Sequence, residues 1–334
     1  MSWYAGDPEY QLIDYDCRLL ISPTSVSKNW HIGRFRLSPA SVIIDSGSFH
    51  YIDAEENKLT KTQKEVFEDQ IRILNGFKPA LICHLDFAIP RCGMPERKMK
   101  ERIEITIENA EKFYDICLRN ENRLMGIEPL AVIQGYDVRT VLYCAKRLKK
   151  IGFKKFGIGS IARLSRINRT EILGRIAKVL TVVKDLHIFG VSSIEIMKQL
   201  EQLNISSIDS TTPIKEAVYA GIFYSKPFRR FKIGTEHFKN CWSKKYGYAK
   251  VITKPLPCKC PICNGIGSWV LMLRGRKLWN NLRAMHNYYH FKKELFGTVR
   301  SRKNMNIFAS LNDYLNRYEV QSREENEVFY SRVE

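Results

Sequence analysis

Cys258, Cys260 and Cys263 crowd into six residues, and His286 follows on the next helical stretch. Three thiolates and one imidazole suit tetrahedral zinc. Four protein donors fill such a site and leave no open position for water, so the pattern reads as structural zinc. The competing reading is a set of buried cysteines beside an ordinary core histidine. His286 argues against it, because the helical pattern from Lys277 puts its apolar stripe at Leu278, Leu282, Met285 and Tyr289, with His286 at the stripe's edge. His290, one turn further on, reads as a surface or outer-sphere residue. The chemistry is expected elsewhere. Asp45, Asp86, Gln134, Gly159, Gly190 and Asp209 each stand at the end of a short apolar run. A single Asp there can be a helix cap or a turn residue. Three carboxyls and an amide at equivalent ends can converge on one substrate.

Convergence needs the right elements. SVIID (41–45), PALICHLD (79–86), LAVIQG (130–135), KFGIG (155–159), LHIFG (186–190) and NISSIDS (204–210) read as strands. Between them lie amphipathic stretches of helical period, such as Met99, Ile103, Ile107, Ala110, Phe113 and Cys117 on one face. A run of βα units implies a mostly parallel sheet with helices outside it. An open, doubly wound sheet fits such a run. A closed α/β barrel fits better, because at least six units follow one another without a break. The strand ends then share the C-terminal face, where side chains from different strands meet. No GxGxxG stands at the first strand end, so a dinucleotide fold lacks its signature.

Bulk composition narrows the partners. The chain has 334 residues and a formal net charge of +19, an excess that favours a polyanion. From about residue 223, FYSKPFRRFKIGTEHFKNCWSKKYGYAK offers cations for phosphates and flat rings for bases. No apolar run is long enough to span a bilayer, and the start shows no secretory signal. Nine cysteines, only the last three clustered, argue against a disulfide scaffold and for a reducing, cytoplasmic setting. We expect residues 1–222 to hold the main part of the barrel. Residues 223–306 should hold the basic aromatic segment, the zinc subdomain and a barrel-closing helix, and 307–334 a peripheral tail.

Taken together, IIDSGSF (43–49), HLDFAIP (84–90), AVIQGYD (131–137), FGIGSIA (156–162), SIDSTTP (207–213) and the Cys-Cys-Cys-His cluster resemble the tRNA-guanine transglycosylase family, in order, over roughly residues 41–291. The resemblance implies a (β/α)8 TIM barrel with an inserted or appended zinc-binding subdomain. It implies that Asp209 attacks C1′ of the sugar, expels guanine and forms a covalent ester. An incoming 7-deazaguanine then displaces the ester. By the same match Asp45 is general acid/base, Asp86 and Gln134 read the purine edge, backbone around Gly159 completes the pocket, and Ser46 is a minor candidate for it. Zn2+ is held by Cys258, Cys260, Cys263 and His286. The chemistry suits these roles: an oxocarbenium-like centre needs a carboxylate beside C1′, and further carboxyls let one stay charged while another carries a proton.

The expected polymer follows from departures from the tRNA enzymes. TTPIKEA after Asp209 lacks the arginine that bacterial tRNA enzymes carry there, and we expect none of the appended RNA-binding domains that archaeal enzymes usually add. The expectation is therefore DNA before tRNA, as in the DNA 7-deazaguanine transglycosylases of phages and bacterial modification clusters. The expected setting is cytoplasm, or host cytoplasm for a phage-encoded chain. A homodimer or other modification-system proteins would be the partners. A non-catalytic nucleic-acid-binding barrel is the alternative from another class. An unrelated barrel hydrolase of small glycosides leaves the basic surplus and the cysteine cluster unexplained.

Overall fold

The structure, a computed structural model, describes residues 2–5, 18–32, 39–90, 93–160, 169–234, 248–273 and 277–297. The expected tail (307–334), residues 235–247 of the basic aromatic segment, Ile161 and Ala162 of FGIGSIA, the Leu278 side chain, and Cys17, Cys92 and Cys241 lie outside the described residues. The chain divides into two compact units at Thr211/Thr212.

The first unit runs β1 (Ser2–Ala5), β2 (Arg18–Ile21), β3 (Ser41–Ile44), a short hairpin of β4 (Ile52–Asp53) and β5 (Lys58–Leu59), α1 (Gln63–Leu74), β6 (Ala80–Cys83), α2 (Glu96–Arg119), α3 (Glu121–Leu124), β7 (Ile127–Ile133), α4 (Val138–Ile151), β8 (Lys155–Ile158), α5 (Arg169–Leu180), β9 (Leu186–Ile188), α6 (Ile194–Glu201) and β10 (Ser207–Ser210). Eight of these strands close a barrel in the order β1-β10-β9-β8-β7-β6-β3-β2. Every pairing is parallel, and β1 closes the ring by pairing with both β10 and β2. The closed α/β barrel is thus what the βα alternation leads one to expect. Its strands are buried on both faces, which is why they read as unbroken apolar runs such as Val42, Ile43 and Ile44.

Helix ends are set locally. Thr62 and Glu65 form a capping box at the start of α1, and Asn75 ends it in the left-handed conformation. Asp137 caps α4 through the Thr140 N–H, and Gly152, at φ 121°, closes it. Packing outweighs these caps. The buried face of α2 (Ile103, Ile107, Ala110, Phe113 and Cys117) contributes about 1.5–3 kcal/mol for each large apolar side chain, against ~1 kcal/mol for a cap.

Two helices also brace the strand ends. The buried Gln70 of α1 donates its amide N–H to the carbonyls of Cys83 (2.7 Å), Asp45 (3.3 Å) and Ile44 (3.4 Å), tying β3 to β6. The segment after β6 makes no ladder, yet its backbone is satisfied. Leu85 N donates to Gln63 Oε1 (2.6 Å), Phe87 N to Thr106 Oγ1 (2.9 Å), and Asn109 Nδ2 to Leu85 O (3.1 Å).

The second unit holds α7 (Thr212–Val218), β11 (Gly221–Tyr224), β12 (Arg229–Ile233), β13 (Lys250–Ile252), α8 (Pro261–Gly265) and α9 (Lys277–Phe296). β11 pairs antiparallel and β13 parallel with β12. From α9, buried Asn287 accepts from Phe223 N (2.8 Å) and donates to Gly221 O (3.0 Å) and Pro213 O (3.2 Å). Buried Arg283 donates to Ala217 O at 2.6 Å and Leu271 O at 2.9 Å. Among the described residues no helix is long and apolar enough to cross a membrane.

Candidate active site and metal centre

Asp45 is the first residue past β3, Asp86 the third past β6, and Gln134 and Gly159 the first past β7 and β8; Asp209 lies within β10. All sit at the C-terminal ends of barrel strands. Ser46 Oγ donates to Asp86 Oδ1 at 2.9 Å, and Gln134 Nε2 donates to Asp86 Oδ2 at 2.6 Å. Ser160 Oγ donates to Gln134 Oε1 at 2.7 Å and accepts from Ile89 N at 3.2 Å. Four side chains from four strand ends therefore form one chain, Ser46–Asp86–Gln134–Ser160. Gly159 gives its N–H to Ile133 O at 3.0 Å. Its other contribution is space: a Cβ there would lie 2.4 Å from Gln134 Nε2.

Asp45 has a different environment. Its carboxylate takes the N–H of Gly47 at 3.3 Å, in a turn where Gly47 holds φ 76°. Although partly exposed, it is mostly enclosed by protein. Burial first, then the charge of Asp86, and less strongly that of Asp209, push its carboxyl up to about 7, against the pull of the Gly47 and Ser46 N–H groups. Both other acids stand at ends of strands in the same ring, and both raise the Asp45 pKa. A carboxyl poised near neutrality can both give and take a proton.

Asp209 is buried, and its Oδ1 accepts from Gly190 N at 2.7 Å. His187 Nε2 lies 3.3 Å from the same oxygen, and His187 Nδ1 is 2.8 Å from Ser207 Oγ. Among the described residues no hydrogen-bond donor reaches Oδ2. His187 and Ser160 were missed by sequence reasoning. A histidine inside LHIFG reads as strand interior and a serine after GIG as a turn. Ser160 holds φ 58°, rare for a residue other than glycine, a cost that only the structure reveals. His84 is a fastener instead. Burial holds it neutral, down to about 4, and its Nε2 accepts Val132 N at 2.8 Å. A groove of about 600 Å3 between α1 and α2 is lined by Gln63, Asn109 and Ile116, but by none of the three acids.

In the second unit the donor atoms of Cys258, Cys260, Cys263 and His286 lie within 4.8 Å of one another. His286 Nδ1 is 3.9, 3.3 and 3.5 Å from the three sulfurs in that order. A tetrahedral ion with Zn–S and Zn–N bonds of ordinary length separates N from S by about 3.5 Å. The tautomer is right for ligation: His286 Nε2 sits 2.8 Å from Phe223 O, so it carries the proton and Nδ1 faces the thiols. His286 is fully buried and turns to the cysteines that precede it. His290, also buried, is no surface residue: its Nε2 is 3.1 Å from Cys258 Sγ and its Nδ1 accepts from Ser225 N at 3.1 Å. These residues can hold a metal with all four positions filled.

The family model described as queuine tRNA-ribosyltransferase matches residues 23–317. A protein of Salmonella montevideo described as DNA-guanine transglycosylase is 27% identical over 178 residues, 52% of this chain and 41% of that protein. The aligned part thus spans less than half the length of that relative.

Proposed function

The chain belongs to the queuine tRNA-ribosyltransferase family, and from that premise we propose that it exchanges guanine in nucleic acid for a 7-deazaguanine through a covalent aspartyl–sugar intermediate. The observation that carries the reading is Asp209, one oxygen held by a backbone N–H and the other open, on the strand-end face that bears Asp45 and the Asp86–Gln134 pair. Asp209 Oδ2 attacks C1′ as the C1′–N9 bond breaks, and the electron pair leaves with the base. Asp45, with a pKa of about 7, supplies a proton to the departing guanine and accepts one from the incoming base. Asp86 and Gln134 pair with the purine's hydrogen-bonding edge, fixed in place by Ser46 and Ser160. Gly159 leaves the Gln134 amide its room. The target base must leave its stack, a cost of a few kcal/mol that contacts in the pocket offset.

Cys258, Cys260, Cys263 and His286 hold Zn2+ in this reading, and the ion's contribution is to fold the second unit. The polymer we favour is DNA. The Salmonella relative's description names DNA, and the stretch after Asp209 lacks an arginine. tRNA is the alternative, since the family's description names it. Buried free thiols at Cys83, Cys117 and Cys144 suit the reducing cytoplasm where either polymer is met.

Labelled-guanine exchange on duplex DNA, single-stranded DNA and tRNA, run in parallel, tests the proposal. We expect exchange on DNA. Exchange on tRNA alone would overturn the choice of polymer, and exchange on none would overturn the activity.

A further inference from the structure

His187 reaches Asp209 from the neighbouring strand. β9 pairs with β10 so that His187 lies opposite Ser207, and the two hydrogen-bonding faces of the imidazole are both engaged. An ionised carboxylate only accepts, so a bond at 3.3 Å to Asp209 Oδ1 requires the proton on Nε2. Nδ1 lies 2.8 Å from the Ser207 hydroxyl, which can donate to it or accept from it. The ring itself is buried and held edge-on to Phe189, centroids 4.5 Å apart. With both nitrogens used, His187 is poorly placed to serve as a proton shuttle to the base. What it can do is act on Oδ1, the oxygen that Gly190 N–H also holds.

We propose that His187 is a positioning residue which, together with the Gly190 N–H, stabilises the Asp209 carboxylate as it leaves the sugar. The proposal rests on the transglycosylase reading above. In the first step an Oδ2 lone pair forms the C1′–O bond, the C1′–N9 bond breaks, and the base departs with the bonding pair and a proton. Oδ1 becomes the ester carbonyl and keeps both donors. In the second step N9 of the incoming base, having given up its proton, attacks C1′. The C1′–Oδ2 bond breaks and its electron pair returns to the carboxylate, shared with Oδ1. Donors on Oδ1 favour the charged carboxylate over the ester. They therefore hasten the second step more than the first. Without His187 the enzyme should be left stranded as its covalent adduct.

The experiment is rapid quenching of wild type, His187→Phe and His187→Gln with a guanine-containing oligomer. Adduct formation is followed first, then adduct discharge after free guanine is added. Both rate constants come from the same active population, so partial misfolding of a variant cancels in their ratio. A hydrogen bond to a charged group corresponds to about ten- to a hundredfold in rate. We expect discharge in His187→Phe to slow by about that factor relative to formation. The Gln variant, which keeps an N–H donor, should recover most of it. Formation and discharge changing in equal proportion, or Phe and Gln variants behaving alike, would overturn the proposal while leaving the reaction intact. A wild type that forms no adduct at all would instead remove the transglycosylase reading, and this proposal with it.

Discussion

Asp45 and Asp86 carry the same group and hold it in opposite ways. Both oxygens of Asp86 accept side-chain donors, from Ser46 and Gln134. Asp45 has only N–H groups of its own turn, so burial and its acidic neighbours prevail and lift it from 3.8 to about 7. The native state therefore binds more protons than the unfolded chain between those values, and stability falls as pH rises through that window. Undiluted, the rise corresponds to ~4 kcal/mol; water at the partly open mouth reduces it to about 1–2 kcal/mol. Thermal melts of Asp45→Asn should match wild type near pH 4 and exceed it near pH 8 by several degrees; a constant offset across pH would contradict this. Gly159 gives a second prediction. A Cβ at 2.4 Å from Gln134 Nε2 must displace the amide and break its bond to Asp86. Gly159→Ala should weaken guanine binding about tenfold by calorimetric titration, roughly one lost charge-assisted hydrogen bond, with the melting temperature little changed. Unaltered binding would dissociate the amide from the base pocket. The acids and Gln134 were readable because each ends an apolar run. Ser160 and His187 were not, because their meaning comes from partners 26 and 22 residues away in the chain.

Elements show the same division between local and distant causes. Six strands announced themselves through apolar runs framed by helical periodicity. The two that complete the ring, SWYA and RLLI, did not, since no stretch of helical period frames them in the sequence. Their identity is fixed by pairing, β1 with both β10 and β2. The bracing of residues 84–90 was equally hidden: Gln63, Thr106 and Asn109 look like surface polar residues on amphipathic helices until their partners are known. In the second unit the cysteine spacing was legible at once, but the Phe223 carbonyl that orients His286 was not. That link joins β11 to α9 at the Cys3His cluster, so if the cluster holds an ion as proposed, its removal should loosen this unit before the barrel. Hydrogen exchange with and without a zinc chelator tests it. Protection should drop first across residues 212–296, and equal loss across residues 41–210, or none anywhere, would contradict a structural ion.

At the scale of the molecule, a net charge of +19 supplies attraction for a polyanion without choosing between polymers, since phosphate contacts position a chain and do not read it. The closed ring brings strand ends as distant in sequence as those bearing Asp45 and Asp209 to one face of the barrel. The most direct test is covalent capture. Wild type is mixed with a guanine-containing oligomer, denatured, digested and mapped by mass spectrometry. We predict an oligomer-derived sugar ester on the peptide bearing Asp209, lost in Asp209→Ala. Base exchange that proceeds with no adduct, or an adduct mapping to Asp45 or Asp86, would contradict the account.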